Sequence, residues 1–199
     1  MSDIVLKNIS KSYGNKSILK DFSLNIKENS ICLITGESGC GKTTLLRIIA
    51  GLDTDYTGEI AGVSPSDCAF VFQEYRLFPT LSAIDNVALT AKGNKEEKRA
   101  IAKKILLELN FNEGDLYKLP SELSGGMKQR VSVARALASD RPVMLFDEPT
   151  KELDKGLRQE LYEIIKKLSK DKTVIMVSHL ADDIQEFSSV TVELKKQIF

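Results

Sequence analysis

The chain has 199 residues, 42% hydrophobic and 28% charged, with 28 Lys and Arg against 28 Asp and Glu. That length suits one compact domain with a sizeable core. The formal net charge of +0 argues against a nucleic-acid binder, and the mean hydropathy of -0.14, with only short apolar runs, argues against a membrane span.

Met1, Ser2 and Asp3 lead into a strand-like stretch, so no signal peptide is expected. Residues 4–10 and 22–26 read as strands, the second alternating apolar and polar, with a turn-rich loop at 11–16 between them. The short apolar run 31–34 suits a buried strand. It leads into GESGCGKT at 36–43, which satisfies G-x-x-x-x-G-K-[ST] at every required position. Gly36, Gly39 and Gly41 admit positive φ and close backbone approach. Successive N–H groups then form an anion nest ahead of a helix start. Lys42 can supply a point charge to β and γ phosphates, and the Thr43 hydroxyl can take one Mg²⁺ position. The candidate phosphate site is therefore Gly36, Glu37, Ser38, Gly39, Cys40, Gly41, Lys42, Thr43 and Thr44. Residues 44–50 read as an apolar helix that Gly51 is placed to end. A glycine-rich turn that fits the pattern by accident is the competing reading, and the flanking strand and helix weigh against it. Cys32, Cys40 and Cys68 have neither metal-ligand nor disulfide spacing, which fits a reducing cytoplasm. Cys40 reads as a small residue that fits its loop.

Strand-like runs follow at 59–63 and 69–72, and from about 82 to 138 the pattern is mainly helical. Ile101, Ile105, Leu106 and Leu109 form a predicted apolar stripe, with lysines and glutamates on the other face. Within this stretch Ser124, Gly125 and Gly126 precede an amphipathic helix. The serine can cap the helix start, and the exposed N–H groups there can bind an anion. A plain helix entry is the alternative. Apolar runs at 143–146 and 174–177 suit central parallel strands, joined by a helix carrying Leu157, Leu161, Ile164, Ile165 and Leu168. The first of these runs ends in Asp147 and Glu148. An acid at a strand tip beside a phosphate loop can hold Mg²⁺ directly or through water, and the next acid is placed to orient an attacking water. A solvated loop start is the other reading of such a pair. The pattern as a whole predicts an α/β core interrupted by a helical insertion.

GESGCGKTT, LSGGMKQR and VMLFDEPT, in this order, resemble the nucleotide-binding subunit of an ATP-binding cassette (ABC) transporter over nearly the whole chain. The resemblance implies a P-loop NTPase (RecA-like) core with an N-terminal antiparallel β part and an inserted helical subdomain. On that scheme the catalytic core is about 1–74 and 141–199, and the helical subdomain about 75–140. It implies ATP and Mg²⁺ as ligands. Tyr13 would stack on adenine, although an ordinary loop aromatic is its bland alternative. Gln73 would reach Mg²⁺ and link the core to the helical region, or simply end a strand. Asp154 would belong to a loop crossing a dimer interface. His179, the single histidine, would contact the γ-phosphate and work with Glu148, or be structural. Thr43, Gln73 and Asp147 form the implied metal set, and Glu148, His179 and Gln73 the implied catalytic set.

In this family the γ-phosphate needs a second wall, supplied by residues matching Ser124, Gly125 and Gly126 of another subunit. The implied assembly is a homodimer, or a pair with a related ATPase, sandwiching two ATP molecules. It would dock on integral membrane permease subunits through residues 73–90, where Leu77, Phe78, Leu81 and Ile84 are apolar. The expected location is cytoplasmic, peripheral on the inner face of the cell membrane, with an extracytoplasmic solute-binding protein in the same system and no nucleic acid. The sequence is most similar to importer subunits for nitrate, sulfonate and taurine. It departs from that pattern at Lys151 and Glu152, where small residues are usual. The segment 58–67 is short, and little chain follows the last helix, so a C-terminal regulatory domain is expected to be missing. Competing readings are an exporter or lipoprotein-release ATPase, a GTPase or nucleoside kinase, and a non-transport ABC protein. Asn94-Lys95-Glu96-Glu97 lacks the aspartate of a guanine-reading N-K-x-D.

Overall fold

Strand β1 (Ile4–Tyr13) pairs antiparallel with β2 (Lys16–Ile26), and β4 (Thr57–Ala61) covers the other edge of β1. The structure is a computed structural model that describes residues 2–151, 153–188 and 191–195. The loop predicted at 11–16 is mostly strand. Tyr13 pairs with Lys16, and only Gly14, at φ 58, and Asn15 make the turn. Apart from Lys11, which is buried, the polar residues there mark solvent-facing strand positions and a tight reversal. The strand predicted at 59–63 runs over 57–61 instead. Gly62 ends it at φ 83, where a Cβ would lie 2.0 Å from the Asp3 carbonyl oxygen.

The second sheet is parallel, in the order β5 (Cys68–Val71), β6 (Val143–Asp147), β7 (Thr173–Val177), β3 (Ile31–Thr35), β8 (Thr191–Glu193). The period-2 alternation of its strands divides their side chains between two cores. Cys32, Ile34, Val143, Leu145, Ile175 and Val177 pack on one side, with α1 (Lys42–Ile49) and the inner face of the antiparallel sheet. Leu33, Met144, Phe146, Val174 and Met176 pack on the other, against α2 (Ala83–Ala88), α3 (Lys95–Glu108), α4 (Gly125–Ala138) and α5 (Lys155–Leu168). Burial on both faces explains the uninterrupted apolar runs of β6 and β7.

Helices α2, α3 and α4 pack on one another, and α4 also meets β5. Ser82 caps α2, and Asn94 caps α3 in a reciprocal arrangement with Glu97. The buried face of α3 is centred on Ala102 and Leu106 and continues to Leu109. Ile105 is partly buried, and Ile101, predicted in the stripe, is 37% exposed. The stripe is therefore rotated by one residue from its predicted centre, because an alanine rather than an isoleucine faces the neighbouring helix. Asn86 is fully buried. It accepts from Phe78 N–H at 2.8 Å and donates to the carbonyls of Phe78, Leu81 and Ser82, which pins the loop before α2. The last helix is α6 (Ala181–Glu186). Among the described residues no helix is long and apolar enough to cross a membrane.

Candidate active site

Parallel pairing sets the site. Ile34 of β3 pairs with Val177 of β7, which pairs in turn with Asp147 of β6, and Val71 of β5 pairs with Phe146. The residues just beyond these strand ends therefore emerge along one edge: Gly36, His179, Glu148 and Gln73. Ligands of open parallel sheets bind at such carboxyl ends. A cavity of about 470 Å³ lies there, lined by Ser38, Gly39, Gly41, Lys42, Thr43, Thr44, Gln73, Glu148 and His179 from the predicted set, and by Lys16, Ile18 and Lys151.

The phosphate loop has the backbone its glycines require. Gly36, Gly39 and Gly41 stand at φ 142, 77 and 108. A Cβ on Gly36 would lie 2.2 Å from the Leu194 carbonyl oxygen, and one on Gly41 would lie 2.8 Å from Ile18 Cγ2. Glu37 and Ser38 are exposed beside them, whereas Cys40 is buried with its thiol free and is not among the residues lining the cavity. Helix α1 starts without a side-chain cap, so the N–H groups of its first turn have no intrahelical partner. Lys42 is only 6% exposed, and its ammonium donates to the Gly36 and Glu37 carbonyls at 2.7 and 3.0 Å.

Thr43 Oγ1 donates to Asp147 Oδ1 at 2.9 Å across 104 residues of sequence. Burial pushes the Asp147 carboxyl above its ordinary range, and the neighbouring Glu148 charge adds to this; the Thr43 hydrogen bond opposes both. Glu148 has φ 48, a left-handed conformation that costs a non-glycine residue about 1–2 kcal/mol. Its N–H donates to the Val177 carbonyl at 3.0 Å, which holds the turn against β7. His179 Nδ1 donates to Glu148 Oε1 at 2.9 Å, and Lys151 Nζ lies 3.2 Å from Glu148 Oε2. Burial pushes the Glu148 carboxyl up, but these two donors outweigh it and hold the group below its usual value. The histidine's Nε2 is left for the cavity its ring lines.

Other predicted residues lie elsewhere. Ser124, Gly125, Gly126 and Asp154 do not line the cavity. Ser124 caps α4 by accepting from Met127 N–H at 3.3 Å, and Asp154 caps α5 by accepting from Leu157 N–H at 3.0 Å. Tyr13 is 49% exposed at the hairpin tip and is not in the lining either. Its hydroxyl donates to Asp53 Oδ2 at 2.7 Å, and the Lys11 ammonium sits 4.7 Å from its ring centroid. Hydrogen bonds from Lys11 and then Tyr13 hold Asp53 below its ordinary pKa. Of the apolar residues predicted on a docking surface, Phe78 is 53% exposed, Leu77 and Leu81 are half-buried, and Ile84 is buried.

Lys16, Ile18 and Lys151 were not predicted in the cavity. Lys151 carried a signal, a charged residue three positions after Glu148 where a small one is usual. Lys16 and Ile18 carried none. Glu152 lies outside the described residues.

Residues 19–151 match the family model described as ABC transporter. A spermidine/putrescine import ATP-binding protein PotA of Thermotoga maritima is 40% identical over 200 residues, covering 95% of this chain and 54% of that protein. The glutamine transport ATP-binding protein GlnQ of Escherichia coli is 39% identical over 194 residues, covering 88% and 80%. An Fe(3+) ions import ATP-binding protein FbpC of Vibrio cholerae is 37% identical over 208 residues, covering 98% and 59%. The chain thus spans little more than half the length of the PotA and FbpC relatives. Among solved structures, the dimeric structure of MJ0796, a bacterial ABC transporter cassette, superposes with a TM-score of 0.86 at 35% identity over 96% of this chain and 94% of that one. A dimeric post-hydrolysis state of the same cassette, bound to ADP and Pi, gives 0.85 at 33% identity, covering 98% and 97%.

Proposed function

The chain belongs to the ABC transporter family, and on that premise we propose that it is the ATP-hydrolysing subunit of a transport system, acting as a pair of cassettes. The observation that carries the proposal is the division of its anion sites. The phosphate loop, Gln73, Glu148 and His179 share one cavity, while the Ser124 helix start lies outside it. A single copy leaves the γ-phosphate open to water, and in-line transfer needs a closed chamber. Two copies arranged head to tail supply it, each ATP lying between Lys42 of one and Ser124, Gly125 and Gly126 of the other, with Asp154 at the crossing. The MJ0796 cassette structures are dimeric, which supports pairing.

Within the chamber the first-turn N–H groups of α1 and the Lys42 ammonium bind the β and γ phosphates. Glu148 accepts a proton from the attacking water, and His179, oriented by that carboxylate, turns Nε2 to the γ-phosphate. Tyr13, held upright by Asp53, offers its ring to adenine. The Thr43 hydroxyl, the Asp147 carboxylate and the Gln73 amide oxygen are hard oxygen donors, and the first two already stand 2.9 Å apart, so the set fits Mg²⁺. Mg²⁺ bound there would neutralise charge on the β and γ phosphates. We assign residues 1–74 and 141–199 to the catalytic core and 75–140 to the helical subdomain.

The partner is a membrane permease that receives the motion, consistent with the relatives' names. Exposed Phe78 and Leu89 mark the docking face. On this reading the working protein sits on the inner face of the membrane, with a solute-binding protein feeding the system. The relatives above are named for spermidine/putrescine import, glutamine transport and Fe(3+) import. They lend the narrower nitrate, sulfonate and taurine reading no support, and the proposal stops at small-solute import.

The test is ATP turnover per chain as a function of protein concentration, for wild type and Ser124→Arg. Turnover per wild-type chain should rise with concentration as pairs form and should be low throughout for the variant. Turnover per chain that is constant on dilution, in protein shown by sedimentation to be monomeric, overturns the paired mechanism.

A further inference from the structure

We infer that Lys151 is a γ-phosphate ligand that exchanges Glu148 for the nucleotide and so gives the site its preference for ATP over ADP. The inference rests on the ATPase reading above and adds a residue to it. Lys151 lines the same cavity as Lys42, Thr43 and His179, and its ammonium reaches Glu148 Oε2 at 3.2 Å.

The root of the side chain is fixed. Lys151 N–H donates to the Glu148 carbonyl at 3.3 Å. Thr150 before it is buried, and its hydroxyl donates to the fully buried Asp183 at 2.6 Å. The end of the side chain is free to move, being 43% exposed. A half-exposed ion pair of this kind is weak. A terminal phosphate carries more charge and more acceptor oxygens than one carboxylate, so it competes well for a flexible ammonium.

The exchange also has a chemical consequence. Glu148 Oε1 accepts from His179 and Oε2 from Lys151, so an attacking water must compete with two bound donors for the carboxylate. A γ-phosphate that draws Lys151 away frees Oε2 at the moment the substrate is in place. ADP lacks that phosphate and leaves the ion pair intact.

The test measures binding of ADP and of adenosine β,γ-imidotriphosphate, each with Mg²⁺, to wild type, Lys151→Met and Lys151→Arg. Protein is kept at concentrations where sedimentation shows monomer, so that pairing does not contribute. The methionine variant should lose about tenfold in affinity for the imidotriphosphate and none for ADP, and the arginine variant should recover most of the loss. Retained ADP binding also reports an intact fold. An equal loss for both nucleotides, or none for either, makes Lys151 a mere neighbour of Glu148 and overturns the inference. Wild-type protein that binds neither nucleotide removes the ATPase reading itself, and the inference falls with it.

Discussion

At Gly41 the chain enters α1 at φ 108 with no side-chain cap, while at Ser124 it enters α4 with the serine oxygen accepting from Met127 N–H. Both are glycine-led helix starts, and both expose backbone donors. The first is surrounded by Lys42, Thr43, Gln73, Glu148 and His179, and the second by none of them. Their glycines differ too. Gly36 and Gly41 have positive φ and backbone oxygens close to an added Cβ, whereas Gly126 has no such φ and an added Cβ there meets only the Leu157 side chain, at 2.4 Å. A helix N-terminus binds an anion strongly when its own residues leave it bare and fixed charges converge on it. A self-capped start away from such charges can only contribute when another surface brings the anion to it.

The largest break in this comparison should come at Glu148. Glu148→Gln keeps the shape but removes the proposed proton acceptor, so kcat for ATP should fall about a thousandfold while equilibrium ATP binding persists. Phosphate release set beside nucleotide binding checks it, and full turnover would remove Glu148 from its role.

The glycines sharpen the contrast. Gly36→Ala must move the Leu194 backbone and strain φ 142, so nucleotide binding should be lost even at low protein concentration. Gly126→Ala displaces only a flexible side-chain end. It should leave monomer binding intact and lower turnover only in the concentration range where pairs form. Equal binding defects in the two variants would dissolve the distinction.

The smallest effect concerns the support of the first site. The fully buried Asp183 carboxyl accepts from Thr150 Oγ1 at 2.6 Å and Tyr162 OH at 2.5 Å, tying the turn after Glu148 to α6 and α5. Asp183→Ala leaves two buried hydroxyls unpaired and should cost about 2–3 kcal/mol in urea unfolding. An unchanged midpoint would show that the turn is held by something else.

The phosphate loop was legible because its geometry is local: consecutive residues supply the turn, the nest and the helix start. The apolar runs of β6 and β7 were legible because burial on both faces leaves no polar alternation to obscure them. The 11–16 segment misled because a hairpin's exposed strand ends have the same polar composition as a loop. Ile101 misled because a stripe read from large side chains overlooks an alanine such as Ala102 that faces a close neighbour. Lys16 and Ile18 had no sequence signal, since their place in the cavity depends on the antiparallel sheet folding over the loop.

By itself, then, the amino-acid sequence determined the glycine-loop pattern, the family and which acids and histidine to propose for the site, all carried by short contiguous patterns. Only the tertiary structure decided that Thr43 meets Asp147 and that His179 meets Glu148, because these contacts depend on the order β5-β6-β7-β3 and its parallel register. Only it decided that Lys151 closes on the same carboxylate, and that the serine–glycine helix start stays out of the cavity. Strand order and register are set by how whole faces pack, and no local window of the chain contains that information.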